Sequence, residues 1–363
     1  MNLLVISNYR DYHTTRPEAD IFKKMSKLGV NITIMTYGES KHAKEFKDLG
    51  IKVIDFHPEK KFDKKEILKI KNTIIEDKIN IVHAFSSKGS YAAIKATKGL
   101  NVKLILYRGF TGNLEWWNPS SYLKHLNKRV DAIMCNSKGV KEYFDKQLFF
   151  KKDKAVTINK GHDTSWYAEY KPVDIKKELG LSNDAFLLIN VANNRKMKGI
   201  PYLMKSVALL PKNKNIHLLL AGKGMKTREN LEILKQADCE DRVHFLGFRK
   251  DVLNVVAACD VFVLSSLFGE SITKSVIEAM SLQKPAIITD IPGNVELIED
   301  GKSGFVTPSK KPKAMAQAIV NMYNNPEKTK QMGVAAKSRI QNQLSSKQTV
   351  IQLKALYEKI LAE

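Results

Sequence analysis

The feature that most constrains the fold is an alternation of short strand-like runs with longer amphipathic helical patterns. The chain contains two successive series of this kind. Such alternation is typical of a parallel sheet covered by helices. The first series of apolar runs lies at residues 3–7, 32–36, 53–56, 81–84, 104–107 and 132–135. The second lies at residues 186–192, 217–221, 243–246, 261–264, 286–289 and 304–307. The sequence therefore predicts two α/β units of similar size.

The length of the chain supports two domains. At 363 residues and 43% apolar composition, it exceeds what one hydrophobic core usually serves. The stretch NKGHDTSWYAEYKPVD at 159–174 is rich in turn formers and aromatic residues, so we expect a hinge at 161–174. The predicted domains are then 1–160 and 175–345. A final helix at 346–363 is expected to pack back across both domains.

Composition excludes several classes of protein. No apolar run reaches the 18 or more residues of a membrane span, and the apolar start of the chain is followed at once by Asn8 and Arg10. We therefore expect no signal peptide and a cytoplasmic protein. The cysteines, Cys135, Cys239 and Cys259, are scattered and lack C-x-x-C spacing, which argues against a disulfide framework or a zinc site.

The net charge of +22 is concentrated in the first half, where residues 1–160 hold 31 Lys and Arg against 17 Asp and Glu. Such a field suits nucleic acid, an anionic membrane surface or a polyanionic small molecule, and a merely lysine-rich surface explains it equally well. The absence of any helix-turn-helix, zinc-finger or RNP motif argues against nucleic acid as a partner.

One basic segment suggests peripheral membrane binding. KEYFDKQLFFKKDK at 141–154 combines several lysines with Phe144, Leu148, Phe149 and Phe150. It could lie on the anionic inner face of the cell membrane and meet a lipid-linked acceptor there. The alternative is a helix that packs its apolar side inward.

A dinucleotide-binding enzyme is disfavoured. It requires G-x-G-x-x-G directly after the first strand, because only glycine lets the backbone approach the pyrophosphate. Here the first glycine of the chain is Gly29. In the second unit Gly222 and Gly224 follow a strand, but Thr227 occupies the place of the third glycine.

The segment GESITKSVIEAM at 269–280 places two carboxylates, Glu270 and Glu278, eight positions apart. The apolar spacing predicts a helix from Ser271 onward, and eight helical residues span about 12 Å. A glycosidase needs its two carboxyl groups roughly 5 to 9.5 Å apart. The longer spacing favours contacts along an extended, hydroxyl-rich ligand.

The run from 243 to 308 resembles the donor-binding domain of the retaining glycosyltransferases of family 4, which have the two-domain GT-B architecture. The resemblance is carried by Glu270 and Glu278 with the Ala-Met after them, by Lys284-Pro285 before the next strand, and by the glycines at 301 and 304. It implies two Rossmann-like, doubly wound parallel-sheet domains facing a central cleft. The first would bind the acceptor, and the second would bind a nucleotide-sugar donor.

The resemblance also implies residue roles on the donor side. Glu270 would contact hydroxyls of the donor sugar, and Glu278 would contact the ribose. The N–H groups at the start of the intervening helix suit a diphosphate. The alternative is an ordinary amphipathic helix with two solvated acids. The further donor-binding candidates are Ser271, Ile272, Thr273, Lys274, Asn193 and Gly222.

A cationic loop is expected to neutralise the leaving diphosphate. In VANNRKMKGI at 191–200, Lys198 matches the family lysine that precedes a glycine. Asn193 occupies the usual arginine position, so we assign the phosphate contact to Arg195, because guanidinium binds phosphate oxygens in pairs. Lys196 is a competitor for this role, and a basic surface turn is the plain alternative.

The first domain is less specific. His83, in IVHAF, matches a family histidine that faces the cleft, and we place it with Glu270, Arg195 and Lys198 in the catalytic group, although a histidine at a strand end is as often structural. In YRGFTGN at 107–113 an arginine replaces the histidine frequent in the family. Trp116 could stack on an acceptor sugar or pack in the core. The acceptor-side candidates are Arg16, Glu18, Arg108, Gly109 and Trp116.

Together these features predict retaining transfer of a sugar from a nucleoside diphosphate to a hydroxyl of a glycan or glycolipid, as in polysaccharide or lipopolysaccharide biosynthesis. The chain contains no Asp-x-Asp, so no metal or other cofactor is expected. The rivals are a sugar-nucleotide epimerase or a phosphorolytic enzyme of the same fold and, more remotely, a basic nucleic-acid-binding protein.

Overall fold

The structure, a computed structural model, describes residues 1–148 and 153–363. It contains two parallel sheets, and the chain divides into two compact units. The first unit comprises residues 1–162 and 344–363, and the second comprises residues 163–343. The predicted fold class, two Rossmann-like parallel α/β domains, is confirmed.

The first unit is built on a seven-stranded sheet with the order β3-β2-β1-β4-β5-β6-β7. Residues Leu3 to Ile6 of an inner strand are completely buried, as expected for a strand covered on both faces. The strands are β1 (Asn2–Ile6), β2 (Asn31–Thr36), β3 (Lys52–Asp55), β4 (Ile81–Ala84), β5 (Lys103–Arg108), β6 (Ala132–Cys135) and β7 (Ala155–Thr157).

The helices of the first unit cover both faces of this sheet. They are α1 (Tyr12–Lys27), α2 (Lys41–Asp48), α3 (Lys64–Glu76), α4 (Ser87–Ala96), α5 (Lys138–Asp145) and the C-terminal α13 (Ser346–Ala362). The last helix, expected to cross both domains, belongs to this unit. Its Leu353 and Tyr357 are buried in one core cluster with Phe22 and Met25 of α1.

The basic segment at 141–154 turns part of its apolar side inward. Phe144 and Leu148 are buried in the core against the sheet, so these two side chains do not present an apolar face to a membrane. Phe149 and Phe150 lie outside the described residues. In the described part of the chain no helix is both long and apolar enough to cross a membrane.

The second unit has a six-stranded parallel sheet with the order β10-β9-β8-β11-β12-β13. The order reverses between β8 and β11, and in such sheets the crevice at the carboxyl ends of these two strands is where ligands bind. The strands are β8 (Phe186–Val191), β9 (Ile216–Ala221), β10 (Val243–Gly247), β11 (Val261–Leu264), β12 (Ala286–Thr289) and β13 (Gly304–Thr307).

The helices of the second unit connect these strands and close the unit. They are α6 (Ile175–Glu178), α7 (Ile200–Ala208), α8 (Arg228–Gln236), α9 (Val252–Ala258), α10 (Lys274–Ser281), α11 (Pro312–Asn324) and α12 (Pro326–Asn342). Of the hinge expected at 161–174, residues 163–174 are part of this unit. The side chain of Asn254 in α9 donates a hydrogen bond to the Lys171 carbonyl at 2.7 Å.

Two details differ from the sequence prediction. The three-residue edge strand β7 was not predicted, because a run this short carries no periodicity. The helix expected from Ser271 begins at Lys274, with Thr273 as its N-cap. Ser271 to Thr273 therefore form a turn, and Glu270 lies before the helix while Glu278 lies within it.

Candidate active site

A pocket of about 470 Å³ lies where the loops after β8 and β11 meet. The residues that line it come from both loops and from the first turns of α10. They are Asn193, Arg195, Lys198, Glu270, Ile272, Thr273, Lys274, Ser275 and Glu278. All except Ser275 are among the donor-side residues selected from the sequence. Ser271 and Gly222, which were also selected, are not in its lining.

Glu270 is held from three sides. Lys198 Nζ lies 2.5 Å from Glu270 Oε1, and the Ser266 hydroxyl donates to the same oxygen at 2.8 Å. The Thr273 hydroxyl lies 3.3 Å from Oε2. The side chains of Lys198 and Glu270 are only 15% and 10% exposed to solvent. The carboxylate is therefore fixed in orientation and lies beside the cation that precedes α7.

The N-terminus of α10 lacks the usual side-chain cap. Thr273 occupies the N-cap position but makes no capping hydrogen bond, since its hydroxyl donates to Asn294 Oδ1 at 2.6 Å. The first backbone N–H groups of a helix have no partner within the helix, and the helix dipole adds positive potential there. Lys274 and Ser275 thus bring uncapped N–H groups to the pocket wall.

Glu278 pairs with Lys274 one helical turn earlier, with Nζ to Oε1 at 2.6 Å. This pair sets the carboxylate on the same face of α10 as the pocket. Among the described residues, Glu278 Oε2 has no hydrogen-bond partner, so one oxygen remains able to accept from a ligand hydroxyl. The side chain of Glu278 is 13% exposed.

The loop after β8 supplies the cationic wall. Arg195 is exposed and lines the pocket directly before a 3-10 turn at Lys196–Lys198. Lys196, the competitor identified in the sequence, does not line this pocket. Asn193 both lines the pocket and braces the next loop, because its Oδ1 accepts from the Lys223 N–H at 3.0 Å.

Two glycines let these loops approach the sheet edge. At Gly199 a Cβ would lie 2.2 Å from the Ser265 carbonyl oxygen, and φ is +64°. At Gly222 a Cβ would lie 1.7 Å from the Ala192 carbonyl oxygen, and φ is +147°. Only glycine tolerates both conditions. Gly222 therefore shapes the site through the backbone.

Four residues of the site were missed by sequence reasoning. They are Ser266, Ser275, Thr289 and Asn294. Ser266 donates to Glu270, Thr289 donates to the Ser266 carbonyl at 2.5 Å, and Asn294 accepts from Thr273, which had been selected from the sequence. Ser266, Thr289 and Asn294 support the site from the ends of β11 and β12, and Ser275 lines the pocket itself. Single polar residues at strand ends carry no sequence signal beyond their position.

In the first unit, His83 does not face solvent. Its side chain is completely buried, and Nδ1 lies 2.7 Å from the Tyr357 hydroxyl of α13. Phe85 and Phe22 pack against its ring. Burial, helped by the nearby Lys160 charge, lowers the pKa of His83 to about 3, so the ring is neutral at physiological pH. The expectation that His83 faces a cleft is not met, because α13 covers it.

Glu18 is also buried rather than lining an open surface. Its Oε1 accepts from the Ser7 hydroxyl at 2.5 Å, and Oε2 lies 3.3 Å from Lys160 Nζ. Burial opposes the charge on Lys160, but Tyr107 and Glu18 outweigh it and raise its pKa. Arg16, on the same helix, is partly exposed. Glu18 therefore balances a lysine inside the unit.

Arg108 is the largest fully buried side chain among the described residues. It donates to the Gly112 carbonyl at 2.5 Å, lies 3.4 Å from His125 Nδ1, and has the Phe110 ring 4.7 Å from its guanidinium carbon. It therefore organises the loop after β5, and the contact of Arg108 with phosphate or an anionic acceptor stays a prediction. Gly109 lies beside it, and a Cβ there would lie 2.5 Å from the Tyr107 hydroxyl, so a larger residue would require the Tyr107 side chain to shift.

Trp116 lies at the surface of the first unit with 46% of its area exposed, and its ring meets that of Trp117 edge to face at 5.5 Å. Trp116 is therefore not buried in the core, which was the alternative prediction for it. The described residues contain no group of three or more His, Cys, Asp or Glu that could hold a metal ion.

The two parallel Rossmann-like sheets, with a charged pocket at the strand reversal of the second, have the architecture of the GT-B fold. The structure superposes with a TM-score of 0.83 on a glycosyltransferase of Rickettsia africae, at 20% identity over 99% of this chain and 98% of that one. The structure of HepE of Anabaena in complex with UDP superposes with a TM-score of 0.78, at 19% identity over 99% of this chain and 100% of that one. These likenesses concern the fold.

Family models identify the chain more closely. The model described as Glycosyl transferases group 1 matches residues 173–339, and that described as Glycosyltransferase Family 4 matches residues 19–166. Together they cover most of the chain. The chain belongs to glycosyltransferase family 4, a family of retaining glycosyltransferases.

Curated relatives are distant. The chain is 27% identical over 246 residues to the N-acetyl-alpha-D-glucosaminyl L-malate synthase of Bacillus anthracis. The aligned region covers 68% of this chain and 58% of that protein. It is 26% identical over 259 residues to the UDP-Gal:alpha-D-GlcNAc-diphosphoundecaprenol alpha-1,3-galactosyltransferase of Escherichia coli, covering 67% and 66%. For the putative glycosyltransferase EpsD of Bacillus subtilis the chain spans less than half of the relative, 46%.

Proposed function

We propose that this protein transfers a sugar, with retention of configuration and without a metal ion, from a nucleoside diphosphate to a hydroxyl of a glycan or glycolipid. One observation carries the proposal. The pocket at the strand reversal of the second unit brings two cations, Arg195 and Lys198, together with two carboxylates and an uncapped helix N-terminus. A nucleotide sugar has the matching parts, namely hydroxyls at both ends and a diphosphate between them.

The carboxylates mark the two ends of the donor. Glu270 is immobilised by Lys198, Ser266 and Thr273, which suits a group that must orient one sugar for attack. Glu278 keeps one oxygen without a partner among the residues that the structure describes, and it lies one turn into α10. We assign the donor sugar to Glu270 and the ribose hydroxyls to Glu278.

The diphosphate then lies against Arg195, Lys198 and the N–H groups at Lys274 and Ser275. As the bond from the anomeric carbon to phosphate breaks, negative charge grows on the leaving diphosphate. Preorganised charges and dipoles that meet this charge stabilise the transition state most. The departing phosphate accepts the proton of the attacking hydroxyl on the same face of the sugar, so the protein needs no nucleophile. Cations and a helix end supply the charge that a divalent ion supplies elsewhere.

Several relatives suggest the substrates to test first. The name of the E. coli relative specifies UDP-Gal as donor and a diphosphoundecaprenol-linked sugar as acceptor. Another relative, at 27% identity over 47% of this chain, is an O-antigen biosynthesis glycosyltransferase. We assign acceptor binding to the first unit, and we expect the protein to work in the cytoplasm or at the inner face of the cell membrane.

The experiment measures binding and stereochemistry on one preparation. Calorimetry with UDP, GDP and ADP identifies the nucleotide, and incubation with the matching sugar nucleotides and glycan or lipid-linked acceptors follows. Proton NMR of the product reads the anomeric configuration. We expect an α-linked product from an α-linked donor. Binding of no nucleoside diphosphate, or a product with inverted configuration, would refute the proposal, and conversion of the donor without acceptor would favour an epimerase.

A further inference from the structure

A second and larger cavity, of about 780 Å³, lies in the second unit on the other side of the loop after β8. Its walls come from the starts of α7 and α8 and from the loops after β11 and β13. The lining residues used below are Arg195, Lys196, Lys205, Arg228, Asn230 and Lys310.

The charge of this cavity is strongly unbalanced. Five of its lining side chains are cationic, and Glu229 is its only acid. Arg228 is paired with Glu232, one turn further along α8. Arg195, Lys196, Lys205 and Lys310 have no carboxylate partner within the described part of the chain. Like charges gathered in one concavity repel each other and focus a positive potential into it, which attracts an anion.

Cationic side chains on a convex surface point into water and away from one another. In a concave arrangement they can contact one ligand together. Lys205 and Lys310 are 105 positions apart and converge only in the fold. The Phe268 ring, 52% exposed, and Tyr202 add apolar area between the charges. A phosphate group contacts several lysines and an arginine at once, and the carbon skeleton attached to it covers the apolar wall.

Asn230 adds a different requirement. It lines the cavity and is 1% exposed, and its Nδ2 donates to the Met225 carbonyl at 2.7 Å. Its Oδ1 has no hydrogen-bond partner among the residues that the structure describes. A buried amide oxygen is normally satisfied. An anion without a hydrogen, such as sulfate, cannot donate to it, whereas a ligand with hydroxyl groups can.

We propose that this cavity is a second ligand site, which binds a hydroxyl-bearing phosphate ester and is coupled to the donor pocket through Arg195. Arg195 lines both cavities. An ester held in the second cavity draws the guanidinium away from the donor diphosphate and so weakens donor binding. By thermodynamic linkage, the donor weakens ester binding by the same factor. The binding is independent of the proposed function, while the coupling rests on it.

The test uses glucose 1-phosphate, a soluble phosphate ester, and protein saturated with UDP so that the donor pocket is occupied. Calorimetry compares the wild type with the double variant Lys205→Gln/Lys310→Gln. The matched control is Lys235→Gln/Lys313→Gln, which removes the same charge from two exposed lysines of the same unit outside the cavity. We expect binding at least tenfold weaker in the first variant and unchanged in the control. Equal affinity in all three proteins, or no binding by the wild type either with or without UDP, overturns the proposal.

A second experiment distinguishes a lipid headgroup from a soluble phosphate ester as the ligand. Phosphatidylglycerol vesicles carry a phosphate and hydroxyls in each headgroup, whereas phosphatidylcholine vesicles serve as the control. If phosphatidylglycerol displaces glucose 1-phosphate, and phosphatidylcholine does not, the ligand is a lipid headgroup. If neither displaces it, the ligand is a soluble ester. Equal displacement by both vesicle types contradicts recognition by phosphate and hydroxyls.

Coupling is measured by the affinity for UDP with and without saturating glucose 1-phosphate. We expect a several-fold weakening in the wild type and none in Lys205→Gln/Lys310→Gln, whose donor pocket is intact. An unchanged UDP affinity in the wild type overturns the coupling. If the protein bound no UDP at all, only the donor proposal would fail. Binding of glucose 1-phosphate to the second cavity can still be measured in a Lys198→Ala variant, which lacks a cation of the donor pocket.

Discussion

Lys198 Nζ lies 2.5 Å from Glu270 Oε1, although the two residues are 72 positions apart in the chain. One lies at the end of the turn before α7 and the other lies before α10, so their contact joins the two loops at the strand reversal. The pair is mostly buried, and removing one partner of such a pair leaves the other charge uncompensated. Variants at either position should therefore be checked for stability as well as for activity.

The first prediction concerns the leaving group. Lys198→Ala should lower kcat/KM for sugar transfer by roughly a hundredfold or more, because a preorganised charge on the leaving diphosphate is worth several kcal/mol in the transition state. Lys198→Arg should recover part of the loss. Steady-state kinetics with the donor identified by calorimetry measure this, with Lys328→Ala, an exposed position of α12, as control. A value for Lys198→Ala close to that of the control would remove Lys198 from the mechanism.

The second prediction separates the two carboxylates. Glu278→Ala should weaken binding of the free nucleoside diphosphate about tenfold, since a hydrogen bond to a charged group contributes about 1.5–3 kcal/mol and its expected partner is the ribose. Glu270→Ala should leave that affinity nearly unchanged and abolish most sugar-dependent turnover. Calorimetry with the diphosphate and turnover with the sugar nucleotide test this contrast. If both variants bind the diphosphate as the wild type does, the ribose contact is assigned wrongly.

The third prediction concerns the backbone beneath the site. Gly222→Ala should lower the free energy of unfolding by about 3 kcal/mol or more, because the added Cβ meets the Ala192 carbonyl at 1.7 Å and the backbone has φ of +147°. Gly180→Ala is the matched control, since its φ is +66° but nothing lies within 4 Å of the added Cβ. It should cost only about 1–2 kcal/mol. Urea unfolding distinguishes them, and equal losses would mean that the crowding at Gly222 relaxes easily.

The fourth prediction concerns acid stability. The folded state lowers the pKa of His83 from the usual 6.5 to about 3, so between these pH values the unfolded chain binds a proton that the folded protein does not. Stability should therefore be complete above pH 6.5 and fall as the pH drops toward 3, by up to about 1.4 kcal/mol per pH unit from this residue. His83→Gln should reduce the slope of unfolding free energy against pH in this window.

Tyr357→Phe is the companion variant. It removes the hydroxyl that contacts His83 Nδ1 and keeps the histidine buried, so it should cost about 1 kcal/mol while the pH dependence persists. Burial also lowers the pKa of His57, to about 4, and a remaining slope in His83→Gln is expected from that residue. A slope identical to that of the wild type would show that His83 is not buried in neutral form.

The sequence by itself determined the two sheets and most of the residues of the pocket proposed to bind the donor. Central parallel strands are buried on both faces and therefore appear as continuous apolar runs, so twelve of the strands could be placed from the sequence. The strand β7 could not, because three residues are too few to show a pattern. Arg195 and Lys198 could be selected because they follow the first strand of the second unit, where a ligand-binding loop is expected. Glu270 and Glu278 could be selected because their spacing resembles that of the family 4 glycosyltransferases.

Only the tertiary structure decided which polar residues of the first unit are buried. His83 looks like a cleft residue until α13 returns, 274 positions later, and places the Tyr357 hydroxyl against it. Arg108 carries a charge that suggests an anionic ligand, yet its guanidinium is enclosed by the loop that follows it and donates to the Gly112 carbonyl. The physical reason is the same in both cases. Burial and hydrogen bonding depend on which distant segments cover a residue, whereas a pattern of apolar residues records only its local environment.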